Sequence, residues 1–353
     1  MPFTRKTLAA SCFSWLIVSL LSAAPNFPHI GQIERHDPAL DALIDSDVPI
    51  EVLASGFEWS EGPAWDQANQ QILFSDVPTN RIYAWSEKAG LSVYMEPSGY
   101  TGVTPRTNGK GSNGLTFDLQ GRLLLCEHGD RRVAAMAPGE GKFTVTDHVD
   151  GKRFNSPNDL AIDSHGNIFF TDPIYGLPGG RDDPRRELDF CGVFVHDAST
   201  GKTRVVIDDL PMPNGVTISP DEKTLYVAQS DRDMPVIMAY PLNRDLTEGP
   251  GRLLFDCRPL GADLRKNRPD WPVQNPDGIK TDVHGNIWFG GPGGIVIISP
   301  EGTHLGTISN GERMANLTWG GPDGDVLYIT SDMYLARVQT KVVGRSFALV
   351  NKR

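Results

Sequence analysis

One pattern limits what this chain can fold into more than any other: the same unit is written six times. Each copy has an oxygen-bearing opening residue, an alternating apolar run, a polar turn and a second apolar run. Glu61 opens EGPAWDQANQQILFSD, Asn113 opens NGLTFDLQGRLLLCE and Asn158 opens NDLAIDSHGNIFFTD. Asn214 opens NGVTISPDEKTLYVA, Asp277 opens DGIKTDVHGNIWFGG and Asn316 opens NLTWGGPDGDVLYIT. Alternation at period two, broken by a Gly-, Asp- or Asn-rich turn, reads as a β-hairpin. Successive openings lie 39 to 63 residues apart. A blade of four short strands needs about 40 to 50 residues, and such blades close around a central channel. Six copies therefore predict an all-β, six-bladed β-propeller with a central metal site, spanning residues 50–353.

Composition agrees with a turn-rich, all-β chain: 37 Gly and 27 Pro in 353 residues, and no long run of helical period after residue 47. A repeat that runs to the end of the chain argues for one closed unit rather than two domains. The spacers GLPGGRDDPRRELD (176–189) and RPLGADLRKNRPDWPVQN (258–275) read as loops that wall the channel mouth. Ile50–Phe57 alternates as a strand and is expected to complete the blade begun by the last repeat, closing the ring and removing a free edge.

Residues 1–24 have the form of a secretory signal: Arg5 and Lys6, an apolar stretch over 7–21, then Ser22-Ala23-Ala24 as a small-residue cleavage site. The apolar stretch is shorter than the ~20 residues a span requires, so the expectation is a periplasmic or extracellular protein with no membrane segment after cleavage. A leader over 25–49 follows, with a short helix beginning at Asp37 as N-cap and Pro38 at the first position. The formal charge of −11 becomes −13 once Arg5 and Lys6 are removed. Such a charge excludes nucleic acid and anionic membranes as general electrostatic partners. It favours a neutral or cationic ligand, or an anionic one screened by a metal. Cys126, Cys191 and Cys257 remain, without a Cys-x-x-Cys pair, and read as buried apolar residues. An oxidising compartment would allow one disulfide among them, and spacing does not choose the pair.

In a propeller the innermost strands lie beside the axis, so the six opening residues converge there. They form a ring of carboxylates and amides only. Hard cations such as Ca²⁺ take about 6 to 8 oxygen ligands at about 2.3–2.6 Å, and two carboxylates neutralise one divalent ion. For any one of these residues alone, a turn dipeptide such as Asn-Gly or Asp-Gly is the commoner explanation. Glu61 weakens it, because Glu is not a favoured turn residue and yet stands in register with the others.

EGPAW, SPNDL, PNGV and PDGI, in this order on successive repeats, resemble the gluconolactonase family, which includes regucalcin and luciferin-regenerating enzyme. The resemblance covers nearly all of the chain after residue 50. It implies a six-bladed propeller, Ca²⁺ (or another divalent cation such as Zn²⁺ or Mn²⁺), and hydrolysis of a small-molecule sugar lactone such as gluconolactone. Carried over by motif, it implies Glu61, Asn158, Asn214 and Asp277 as metal ligands, with Asp277 the nominated catalytic base. Asn113 becomes a substrate-contact candidate and Asn316 a structural one. Where regucalcin has an Arg two positions before the third-blade Asn, this chain has Ser156, which puts the substrate contacts in question and not the metal. CEHGDRRV (126–133) and FTDPIYGL (170–177) are similar to bacterial gluconolactonases.

A carboxylate bound to a cation is a weak base. His128, which ordinarily titrates near neutrality, therefore competes with Asp277 for the catalytic role. His128, Arg131 and Tyr175 are substrate-binding candidates beside Asn113. No Gly-x-Ser-x-Gly elbow appears, so no serine nucleophile is expected. Two other readings stay open: a different metal-dependent esterase or organophosphate hydrolase on the same propeller, and a non-catalytic binding propeller.

Overall fold

The computed structural model describes Met1 and residues 26–106, 110–137, 139, 141–243, 246 and 249–351; apart from Met1, the expected signal segment lies outside the described residues. Among the described residues, six antiparallel sheets of four or five strands follow one another, and a small two-stranded sheet, His148–Val149 with Lys152–Arg153, lies between the second and third. Their innermost strands are Ser60–Asp66, Ser112–Phe117, Leu160–Ile162, Pro213–Ile218, Ile279–Thr281 and Asn316–Gly320. Each repeat of the sequence supplies the inner hairpin of one blade, which makes the molecule a six-bladed β-propeller.

Strand alternation gives each sheet two faces, and both are covered by neighbouring blades. The core is accordingly divided into clusters that straddle the seams. Leu73, Ile82 and Ala84 of the first blade meet Leu115, Leu123 and Leu125 of the second. Phe169, Val193 and Val195 of the third meet Val216, Leu225 and Val227 of the fourth. The seam between last and first blades is equally filled, by Tyr328 and Leu335 against Ile72, Phe74 and Trp85.

Closure is made as the sequence predicts. Glu51–Ser55 pairs antiparallel with Tyr334–Gln339, Glu51 opposite Arg337, and the Arg337 guanidinium binds the Glu51 carboxylate at 2.6 Å. The leader is more than a leader. Gln32–Arg35 adds a fifth strand to the fifth blade, antiparallel to His304–Ser309. The helix expected after Asp37 is a 3₁₀ turn, Pro38–Ala42, whose N-cap Asp37 side chain accepts from the Ala39 N–H. Its Leu40 packs into the seam between the fifth and sixth blades.

Two helices were not expected. Arg258–Asn267 is α-helical where the sequence reads as a loop, with Pro259 in its first turn, Arg265 and Lys266 in its last, and Leu264 buried. Arg345–Val350 is the second. Both are too short for a periodic stripe to stand out, and each is folded by what it packs against. No helix among the described residues is long and apolar enough to cross a membrane. Cys126, Cys191 and Cys257 are buried and unpaired, as their reading as apolar residues implies; burial pushes the Cys191 thiol up to about 11.

Candidate metal and catalytic centre

The propeller brings all six opening residues to one end of its axis, where hydrogen bonds join them in two strings. Asn113 Nδ2 donates to Asn158 Oδ1 at 3.1 Å, and Asn158 Nδ2 donates to Asn214 Oδ1 at 2.8 Å. The Asn214 side chain hydrogen-bonds to Asp277. Asn316 Nδ2 donates to Glu61 Oε2 at 3.3 Å, and Glu61 Oε2 also accepts from the Gly62 N–H at 2.8 Å. Each amide thus hands a hydrogen to the next oxygen, and the relay ends on two carboxylates.

Backbone contacts between blades fix the ring in place. The Asn113 carbonyl accepts from Ser75 Oγ of the first blade, the Asn158 carbonyl from the Gly114 N–H of the second, and the Asn214 carbonyl from Thr171 Oγ1 of the third. The glycines that follow the ring residues let neighbouring strands come this close. Gly62 has φ +50, and a Cβ there would lie 2.0 Å from the Asn113 carbonyl oxygen; one on Gly278 would lie 2.1 Å from Asn316 Cγ. These Gly residues are therefore interfacial, and the turn-dipeptide explanation does not hold for them.

Glu61 is only 2% exposed. Loss of water raises its pKa well above the ordinary value, and the charges of Asp277 and Asp159 raise it further. Asp277 retains some contact with solvent, but its carboxyl is pushed up to about 7, chiefly by desolvation, with Asp159 adding to the rise. Because this value lies above the ordinary 3.8, the carboxyl favours the fold at low pH, and that contribution is lost as pH rises through 7. In EDTA, Asp277→Asn should therefore gain stability relative to the native chain as pH goes from 5 to 7, by up to about 1.4 kcal/mol per pH unit. Paired chemical melts across that range check it; a constant or shrinking difference would contradict it.

His128 is buried beside the ring, with Nε2 3.0 Å from Asn158 Oδ1. An amide oxygen only accepts, so Nε2 carries the hydrogen and Nδ1 is a bare acceptor. Burial lowers the imidazole pKa to about 4, which takes His128 out of the near-neutral range expected of it. His128 Nδ1 and Asn113 Oδ1 are buried without a protein partner. Such atoms call for a ligand or water.

The remaining candidates divide. Tyr175 is 38% exposed, and its hydroxyl lies 3.4 Å from Asn214 Nδ2; it borders the mouth as expected. Arg131 does not offer its guanidinium to a substrate in the way expected. Its Nε donates to the carbonyls of Phe154 and Asn155 at 2.7 and 3.1 Å, and its Nη1 to the Arg185 carbonyl at 2.8 Å. Buried, it ties down the segment that carries Asn158. The sequence reading missed Gln274, whose Nε2 donates to Asp277 Oδ2 and to the Met314 carbonyl, both at 3.1 Å. Gln274 comes from the long fourth-blade spacer, so that loop does reach the site. A polar residue three positions before Asp277 was the available signal.

Among the described residues no three His, Cys, Asp or Glu side chains gather into an ion-holding group. Any ion on the axis would rely on Glu61 and Asp277 together with amide oxygens. The donor set fits a hard divalent cation: all oxygen, with two carboxylates, Glu61 and Asp277, whose charges oppose each other.

Fold and ring together define a class: six-bladed propellers with a carboxylate–amide cluster at one end of the axis. Residues 59–333 match the family model described as the SMP-30/Gluconolactonase/LRE-like region. The chain belongs to this family. It is 37% identical over 321 residues to a gluconolactonase from Zymomonas mobilis subsp. mobilis, covering 89% of this chain and 88% of the relative. A solved gluconolactonase from Xanthomonas campestris superposes with a TM-score of 0.75 at 28% identity, covering 91% of this chain and 99% of that one. A calcium-binding regucalcin from Agrobacterium tumefaciens shares the fold, with a TM-score of 0.61 at 16% identity over 82% of this chain and 94% of that one.

Proposed function

We propose that this protein is a calcium-dependent hydrolase of a sugar lactone such as gluconolactone, and that it works in the periplasm or outside the cell. Family membership makes it a lactone hydrolase. The observation that carries the metal reading is the pair of carboxylates, Glu61 and Asp277, each held by amides at the axial mouth and each opposed in its charge by burial. Glu61, Asn158, Asn214 and Asp277 would hold the ion, and an all-oxygen set favours Ca²⁺ over Zn²⁺ or Mn²⁺. Held there, such a cation would supply Lewis acidity toward the lactone carbonyl oxygen.

The protein's own groups supply the rest. Asp277 accepts the proton of the attacking water, and Gln274 holds its Oδ2 so that the carboxylate keeps one orientation. His128 stays neutral, and its bare Nδ1, with Asn113 Oδ1, accepts hydrogen bonds from sugar hydroxyls. Tyr175 forms part of the rim over Asn214. Arg131 keeps Asn158 at its station. The amino-terminal segment, by its composition, would direct export.

A substrate panel tests this reading. Purified protein with Ca²⁺ should release acid from gluconolactone well above the spontaneous rate in a pH-stat. It should leave an organophosphate and an acyclic ester near background. Equal rates on all three, or none above background, would overturn it.

A further inference from the structure

The six repeats differ at two places that the ring does not explain. The residue after the opening one is Gly in four copies and Leu317 in the sixth, but a charged one, Asp159, in the third. The fourth residue of each copy is Ala64, Thr116, Ala161, Thr217 and Trp319 in five copies, but Lys280 in the fifth. Both exceptions are charged, and both are buried, Asp159 at 1% and Lys280 at 8% exposure. They meet across the axis: Lys280 Nζ lies 3.4 and 3.2 Å from the two Asp159 oxygens. The same ammonium reaches Asn316 Oδ1 at 3.3 Å, and Asn316 Nδ2 turns to Glu61.

The axial end thus holds three carboxylates, Glu61, Asp277 and Asp159, and one ammonium, with Asp159 tied through Lys280 and Asn316 to Glu61. The formal charge of these groups is −2; without Lys280 it would be −3. Since Lys280 also fixes which end of the Asn316 amide faces Glu61, one side chain sets both the charge of the seat and the orientation of a ligand.

We propose that the Asp159–Lys280 ion pair is a built-in counter-charge that matches the axial site to a divalent ion and, through Asn316, positions Glu61. The inference rests on the metal reading given above. Its residues are positioning residues; they do not touch the substrate. The consequence is a preference among ions by charge, which burial makes stronger than it would be in water.

Terbium(III) and Ca²⁺ are close in size and chemistry and differ in charge, so the ratio of their affinities reads the charge of the seat. Loss of ligand orientation weakens both ions and largely cancels in the ratio. Competitive titration of Tb³⁺ against Ca²⁺, by calorimetry on the full-length protein, gives that ratio. Lys280→Gln should move it toward Tb³⁺ by about tenfold, and Asp159→Asn should move it toward Ca²⁺ by a similar factor. The double variant restores −2 and should return to the native ratio. Lys280→Arg keeps the charge, should leave the ratio unchanged, and serves if Lys280→Gln fails to fold. Single variants with the native ratio, or a double variant that stays displaced, would overturn the inference while leaving the metal reading intact. Native protein that binds neither ion would overturn both.

Discussion

Asp277→Asn should lower turnover of a sugar lactone by about 10²–10⁴-fold, the range a general base contributes, while the protein folds as before. The expectation follows from where Asp277 stands. It takes hydrogen bonds from Asn214 and from Gln274, which fix its carboxylate at the mouth, and in the ion-free site desolvation, with Asp159 adding to it, pushes the carboxyl up to about 7. Asn keeps the shape and can keep one of these bonds, so the loss should fall on the rate and on ion affinity, while stability in EDTA should gain on the native chain as pH rises toward 7. His128→Ala is the control. With a pKa lowered to about 4, His128 is a poor base at neutral pH, and its removal should raise KM more than it lowers kcat. Near-native turnover in Asp277→Asn, with kcat collapsing in His128→Ala, would reverse the two roles.

Removing the ion should have an effect as large. Dialysis against EDTA should bring turnover to the spontaneous rate, and added Ca²⁺ should restore it. Glu61→Gln isolates the cause. Oε2 of Glu61 is already engaged by the Gly62 N–H and by Asn316, which leaves Oε1 for a cation. Replacing the carboxylate by an amide removes half of the ligand charge and should weaken Ca²⁺ on the order of 100-fold, given how strongly ligand charge tunes such sites. The variant should regain activity at high Ca²⁺, because Asp277 is untouched. Calorimetric titration and the lactone assay at rising Ca²⁺ check both halves. Activity in EDTA equal to that in Ca²⁺ would contradict the metal reading.

The parts of this molecule that repeat were legible in the sequence. Register alone brought Glu61, Asn113, Asn158, Asn214, Asp277 and Asn316 to one place, because a propeller turns equal positions in a repeat into equal positions around an axis. The closing strand Glu51–Ser55 was legible because it alternates. What was missed does not repeat. Gln32–Arg35 is too short and too polar to announce a strand, and pairs only because His304–Ser309 presents an open edge. The helix Arg258–Asn267 lies in a stretch whose Gly and Pro argue for a loop. Arg131 looked like a substrate contact because charge near a site attracts attention; its positive φ of 58 and three carbonyl partners show a support instead. Lys280 and Asp159 were passed over for the opposite reason. A search for likeness among repeats discards the positions that differ, and the charge balance of the axis is set at two of those.

The proposed chemistry depends on one ion held at the axial mouth by side chains from four blades. Anomalous diffraction from crystals grown with Mn²⁺ in place of Ca²⁺ tests this directly. A single anomalous peak within coordination distance of oxygens of Glu61, Asn158, Asn214 and Asp277 is the predicted result. A peak elsewhere on the molecule, or none while those four side chains enclose only water, would contradict it.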